Sequence, residues 1–351
     1  GPVGARERAR RQDLWKDRLL TTSYAGPEDP NPMGRRGAGP MAPQYSIEDL
    51  VQTIDRVRAG IESVIEGKRE SVDTALMVLL AEGHLLLEDV PGVGKTMLAK
   101  AIGRSIDCSV RRLQFTPDLL PSDITGVSIY NQESREFEFK PGGVFANVVV
   151  GDEINRASPK TQSALLEAME ERQVSVDGTT YELDLPFMVV ATQNPIEMEG
   201  TYPLPEAQRD RFMARIEMGY PTQRAELEML EHHGAHDPLM DLEPATDAGT
   251  ILALIETVKD VYVAPPVRQY LIGIIDATRD SSDLRLGASP RAALHLLRAA
   301  KAYAAMQGRD YVNPDDVAHL AAPVLAHRVL PSTDAQLQRH SATDIIDGVV
   351  R

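Results

Sequence analysis

Three short polar clusters in this chain carry the residue types that handle phosphate. The first is LEDVPGVGKT, Leu87 to Thr96, which ends in Gly94-Lys95-Thr96. The phosphate-loop pattern is G-x-x-x-x-G-K-[ST], and here Asp89 stands where its first glycine belongs. The second cluster is Asp152-Glu153, two carboxylates closing the apolar run of NVVVGDEINRA. The third is Thr192-Gln193-Asn194, at the end of FMVVATQNP. In a phosphate loop the cradle is built from backbone N–H groups, here those of Gly92, Val93, Gly94, Lys95 and Thr96, and the two glycines let the backbone approach closely. Lys95 would place its charge on the β- and γ-phosphates, and the Thr96 hydroxyl would ligate Mg²⁺. Asp89 lies outside that group, so its side chain is expected to point away and leave the cradle intact. Asp152 is the candidate to hold the metal, directly or through its waters, and Glu153 the candidate to polarise an attacking water. Asn194 could orient that water from the opposite side.

These residues need a sheet to bring them together. HLLLE, His84 to Glu88, is too short for a helix and reads as a central parallel strand buried on both faces. It feeds the loop into a helix over roughly Lys95 to Ser105, so the helix N-terminus adds its dipole to the cradle. The acidic pair follows about 57 residues after Thr96, behind a second apolar strand, and Asn194 ends a third. All three clusters are then expected at the carboxyl edge of one sheet, where ligands of open α/β sheets bind. Strand alternation would send Asp152 and Glu153 to opposite sides. Before the sheet, Ser46 with Asp49 three residues on predicts a capped helix with Leu50, Ile54, Val57 and Ile61 inward, and a second helix is expected near Ser71 to Ala81.

Two hairpins are predicted. One spans VSIYNQESREFEFKPGGVF, Val127 to Phe145, and the other VSVDGTTYEL, with Asp177-Gly178 as its turn. From about Pro265 the pattern turns wholly helical, with starts at Ser289-Pro290 and Asn313-Pro314. The chain divides into an arm at 1–44, an α/β unit at 45–222 and a helical unit at 223–351 that includes a hinge. His232 and His236, four apart in EHHGAH, are a weak metal candidate, and a solvated helix end is the plainer reading.

Composition narrows the function. The 351 residues carry a formal net charge of −15. Residues 1–42 hold eight Arg/Lys against five Asp/Glu, a net of +3, which leaves −18 for the rest. An acidic body repels nucleic acid and anionic membrane. The arm holds the single tryptophan, Trp15, in a stretch at helical spacing that could dock, followed by a Gly/Pro-rich linker. No apolar run approaches the roughly 18 residues of a membrane span, and the opening residues lack the apolar stretch of a signal peptide. The single cysteine, Cys108, offers no disulfide framework and is expected in the core; a reducing cytoplasm is the expected home.

Four longer phrases resemble one family. RLQFTPDLLPSDITG, GDEINRASPKTQSALLEAMEERQV, ATQNPIEMEGTYPLPEAQRDRFM and GASPRA, in that order, are similar to MoxR-family AAA+ ATPases across about residues 45–351. The resemblance implies an αβα sandwich with a parallel sheet, followed by a small all-α lid packed over the nucleotide. It makes Pro91 to Met97 the ATP-binding loop, Asp152 and Glu153 the acidic pair, and Asn194 the first sensor. Arg291 matches the second sensor on the lid. An arginine finger, reaching a neighbouring subunit's γ-phosphate, is implied in EAQRDRF; Arg211 fits the family pattern better than Arg209, and both stay open. The family also implies ATP and Mg²⁺ as cofactors, a ring that is commonly hexameric, and a chaperone-like action on protein partners, often with von Willebrand factor A domain proteins. It places the first hairpin toward a central pore, where its slightly acidic character suits a protein rather than nucleic acid. The alternatives are a nucleotide-gated scaffold that hydrolyses little, and a nucleic-acid motor, which the acidic body disfavours.

Overall fold

The computed structural model describes residues 45–65, 67–88, 94–194, 201–220 and 238–350. The arm with Trp15, loop residues Pro91, Gly92 and Val93, and His232 and His236 lie outside the described residues.

The chain enters through α1 (Ile47–Glu62) and α2 (Arg69–Leu80). Ser46 and Asp49 close a reciprocal capping box on α1, with Asp49 N–H donating to Ser46 Oγ at 3.1 Å and Ser46 N–H to Asp49 Oδ2 at 2.9 Å. Two orphan amides are satisfied at once, which is why the helix starts there. β1 (Leu85–Glu88) leads to α3 (Lys95–Ser105), then β2 (Val110–Gln114) and the short α4 (Pro121–Thr125). A hairpin of β3 (Gly126–Asn131) and β4 (Glu136–Pro141) precedes β5 (Val148–Asp152) and α5 (Pro159–Glu171). A second hairpin, β6 (Gln173–Val176) and β7 (Thr179–Glu182), turns through Asp177 at φ 50° and Gly178 at φ 78°. Two consecutive left-handed residues match the right-handed twist of the strands they join. Then come β8 (Met188–Gln193), α6 (Glu206–Arg209) and β9 (Ala214–Ile216).

The central sheet has the order β2-β5-β8-β1-β9, and every pairing in it is parallel. The inner strands β5, β8 and β1 are buried on both faces and read as continuous apolar runs, while the edge strands β2 and β9 are partly exposed. Leu85, Leu87, Val148, Val150, Met188 and Val190 face one layer with α1, α2 and α3. Leu86, Val149, Val189 and Ala191 face the other, which holds α5 and Phe115. That is an αβα sandwich built by period-two alternation.

The remaining elements are α7 (Pro238–Asp241), α8 (Ala248–Lys259), α9 (Pro265–Asp280), β10 (Leu284–Leu286), α10 (Pro290–Met306), α11 (Pro314–Leu325), β11 (Leu330–Pro331), α12 (Thr333–Leu337) and α13 (Ala342–Val350). The region is helical as expected, with one addition: β10 and β11 pair antiparallel and tie the start of α10 to the segment after α11. Ser289 caps α10 by accepting from Ala292 N–H, and Asn313 with Asp316 boxes α11. The helical layer is not a separate body. Leu296, Ala299, Ala300 and Val324 share one continuous core with Leu76, Val78 and Leu50 of α1 and α2. Cys108 is buried, and burial pushes its thiol up to about 12, consistent with a core residue. No helix among the described residues is long and apolar enough to cross a membrane.

Candidate functional site

The sheet order places the three polar clusters side by side. β8 lies between β1 and β5, so the ends of neighbouring strands sit about 4.8 Å apart and the loop after β1 about 10 Å from the acidic pair after β5. Gly94 caps α3 in the left-handed region at φ 89°, with open space where a Cβ would stand. Glycine is needed there for its backbone freedom rather than for room. Lys95, Thr96 and Met97 form the first turn of α3, which packs against β5, and Met97 also leans on the main core.

Asp152 is the last residue of β5 and Glu153 the first beyond it. Strand alternation does not relate their side chains, because Glu153 leaves the strand conformation. Glu153 sits at φ 56° and ψ 51°, a left-handed turn that swings its side chain out of the strand direction. A non-glycine residue in that region costs on the order of 1–3 kcal/mol and persists only where neighbours hold it. The neighbours are visible. Glu153 N–H donates to Thr192 Oγ1 at 3.0 Å, and the same hydroxyl donates to Asp152 Oδ1 at 2.7 Å. Gln114 Nε2 donates to Glu153 Oε2 at 3.1 Å, and Arg156 lies 3.3 Å from that oxygen. The second oxygen of Asp152 takes Arg112 Nε at 3.1 Å. Asn194 follows directly on the end of β8.

Thr192 was legible as a polar strand end, but its role was not. It is fully buried, and its one hydroxyl orients both carboxylate residues. Thr192→Val keeps the shape and removes the bridge. Groups that orient catalytic or metal-binding residues cost about 10–100-fold when lost, and steady-state ATP turnover of the variant is expected to fall within that range.

The donor set suits Mg²⁺. Thr96 and Asp152 offer hard oxygen ligands, and among the described residues no group of three or more His, Cys, Asp or Glu forms a closed cage. Mg²⁺ is commonly held by one or two carboxylates, waters and substrate phosphates rather than by such a cage.

The candidate arginines lie elsewhere. Arg211 and Asp210 precede β9, at the amino edge of the sheet, and Met213 N–H there donates to the His84 carbonyl just before β1. The four residues of β1 separate that edge from the phosphate loop by roughly 13 Å. Arg211 pairs with Glu170 near the end of α5 at 3.1 Å, and Arg291 pairs with the same carboxylate. Arg291 also lies 3.6 Å from Asp210, which accepts from Ser289 Oγ at 2.8 Å. Farther along α10, Arg298 donates to the carbonyls of Ala81 and Glu82, again before β1. This corrects the expectation of a lid packed over its own chain's nucleotide. Helix α10 instead runs along the amino edge and sets Arg291 beside Arg211. Arg209 ends α6 with its Nε buried and without a hydrogen-bond partner.

The junction between sheet and helical layer buries His84 and His327 and partly buries His295. Val189 N–H donates to His84 Nδ1 at 3.0 Å and Nε2 faces the Met169 carbonyl at 3.0 Å, which defines a neutral Nε2–H ring. Burial pushes His84 down to about 4 and His295 to about 2, and holds His327 well below its ordinary value. In the unfolded chain these rings take up protons near pH 6.5. The folded state binds fewer protons through this range, so stability is complete above pH 6.5 and is lost as pH falls from 6.5 toward 4. His84 alone contributes about 3 kcal/mol over that window. Urea unfolding at pH 7 and pH 5 should show the loss, with a smaller difference for His84→Gln.

Residues 84–214 match the model of the ATPase family associated with various cellular activities (AAA), and residues 276–349 match the AAA lid domain. The chain is 41% identical over 322 residues to the protein named Chaperone MoxR1 of Mycobacterium tuberculosis, covering 88% of this chain and 85% of that one. The chain belongs to the MoxR family of AAA+ ATPases. It is also 48% identical over 299 residues to the uncharacterized protein YeaC of Bacillus subtilis, covering 85% and 93% of the two chains. A crystal structure from Cytophaga hutchinsonii, provisionally described as an ATPase, superposes with a TM-score of 0.81 at 38% identity, covering 87% of this chain and 95% of that one. The MoxR-family sandwich gathers the three polar clusters at one edge and, at the far ends of the same strands, the arginines.

Proposed function

We propose that this MoxR-family chain is a Mg²⁺-dependent ATPase that assembles into a ring, most simply a hexamer, and hydrolyses ATP at the interfaces between subunits. One observation carries this reading: the two arginines suited to a γ-phosphate stand at the sheet edge opposite their own loop and acidic pair. A guanidinium there serves a phosphate only if another copy brings its nucleotide edge to it. Lys95, Thr96 and Asp152 then hold nucleotide and metal, and bound Mg²⁺ supplies charge neutralisation at the phosphates. Glu153 and Asn194 align the water, and Arg211 meets the developing charge from the next subunit, with Arg291 beside it.

The work done with the hydrolysis is the remodelling or maturation of a partner protein. The relative from Mycobacterium tuberculosis is named a chaperone. Phe137 and Tyr130 are exposed together on the first hairpin with ring centroids 5.4 Å apart, among Glu133, Glu136 and Glu138. Such a surface fits polypeptide better than nucleic acid, whose phosphates the carboxylates repel. A von Willebrand factor A domain protein is the partner to try first. Mg·ATP turnover per subunit, measured against protein concentration, tests the shared site: a cooperative rise supports it, and a flat curve at full activity sinks it.

A further inference from the structure

A buried arginine on the helical layer grips the main chain on both sides of Arg211. Arg328 follows α11, and its side chain is only 1% exposed. Its Nη2 donates to the Asp210 carbonyl at 3.2 Å and to the Phe212 carbonyl, so residue 211 lies between the two anchored peptides. His327, next in the chain, also reaches the Phe212 carbonyl, at 2.9 Å. The Asp210 carboxylate sits 3.4 Å from Arg328 Nε, and that carboxylate also receives Ser289 Oγ and pairs with Arg291.

Packing does not explain the residue. Burial lowers the Arg328 pKa to about 10, the neighbouring Asp210 opposing the fall, so the group stays charged at neutral pH. Among the described residues its Nη1 has no hydrogen-bond partner, and its Nε meets Asp210 only as an ion pair, without a hydrogen bond. Removing a charge from water and leaving two of its donors unmet is costly, and an apolar side chain of similar length would fill the space without that cost. Arg328 also meets His295 Nδ1, whose ring burial keeps neutral, so the imidazole accepts and aims the guanidinium at the two carbonyls.

We propose that Arg328 is a positioning residue for Arg211: an anchor from the helical layer that sets the backbone from which the interface arginine projects. This rests on the reading of Arg211 as the group that completes a neighbouring subunit's site. Arg328 touches neither nucleotide nor water, and its effect passes through the Asp210 and Phe212 carbonyls.

The test uses the full chain and mixed assemblies. Arg328→Met is expected to keep KM for ATP within about twofold and to lower kcat about 10²-fold, the scale of an ångström-sized misplacement. Mixing separates a displaced interface arginine from general damage. Glu153→Gln subunits have a dead site of their own but an intact Arg211, so beside an Arg328→Met subunit they complete its site and turnover returns. Mixed with Arg211→Ala subunits instead, Arg328→Met stays inactive, because both lack the same function. Arg328→Lys keeps the charge, but its ammonium ends one bond short of the Nη2 position and cannot hold both carbonyls; it shows the same pattern and takes over if Arg328→Met does not fold. Wild-type kcat in both variants overturns the proposal. So does an inactive Arg328→Met and Glu153→Gln mixture when Arg211→Ala with Glu153→Gln recovers. If that last control mixture also stays inactive, the shared site itself is wrong and this role falls with it.

Discussion

Glu153→Gln is expected to bind Mg·ATP with near wild-type affinity and to lower kcat by about 10²–10⁴-fold, the range for loss of a general base. Affinity should survive because the groups proposed to hold phosphate and metal, Lys95, Thr96 and Asp152, are untouched. The amide keeps the size of the side chain and can still meet Gln114 and Arg156, which lie 3.1 and 3.3 Å from the carboxylate. The left-handed backbone at residue 153 is also kept, since Thr192 holds it through the main-chain N–H. What disappears is the negative charge that draws a proton from the attacking water. Single-turnover hydrolysis and equilibrium binding of a fluorescent ATP analogue, measured side by side, separate the two effects. A variant that turns over at the wild-type rate removes Glu153 from the chemistry. If the partner protein is still processed while turnover is lost, binding alone does the work and the chain is a nucleotide-gated scaffold.

Arg211→Ala is expected to reduce turnover by about 10³–10⁵-fold, the value of an arginine supplied to a phosphoryl transition state. Nucleotide affinity of the isolated subunit should be unchanged, because residue 211 lies at the amino edge, the length of β1 away from the loop. The wild-type curve of turnover against concentration should rise cooperatively, and the Arg211→Ala curve should stay flat near zero at every concentration. Folding is not at stake: the side chain is 30% exposed and its ion pair with Glu170 is half-solvated, worth little to stability. Equal activity of wild type and variant would reassign the role to Arg209 or Arg291, and double variants would identify which.

Much of the architecture follows from local signals. HLLLE, NVVV and FMVVA are strands because both of their faces are covered, so they lack alternation and read as short apolar blocks. Ser46 and Ser289 mark helix starts because a side-chain oxygen there satisfies an otherwise unpaired amide, and at Asn313 the Asp316 carboxylate accepts the cap's own N–H. The phosphate-loop pattern and the acidic pair are also read from neighbours in sequence: Pro91 to Val93 lie outside the described residues, while Asp152 closes β5 and Glu153 follows it, as the apolar run predicts. The contacts that were not legible join distant segments. Nothing in the amphipathic pattern of α10 says which edge of the sheet it covers, so the position of Arg291 beside Arg211 emerges only in three dimensions. Thr192 looks like any strand threonine until β5 is laid against β8. Arg328 is one basic residue among many until its burial is seen. Strand alternation, expected to set Asp152 and Glu153 apart, does not relate them, because Glu153 is a left-handed residue that no local rule predicts for glutamate.

Glu170 has a consequence for how these positions can change over generations. One carboxylate stands between two guanidiniums that arrive from different parts of the chain, Arg211 from the sheet and Arg291 from α10. Replacing Glu170 alone leaves two like charges facing each other, while replacing either arginine alone halves the charge that the carboxylate was set to balance. The effects of substitutions at 170, 211 and 291 are therefore non-additive. A change at one of the three alters what a change at either companion costs.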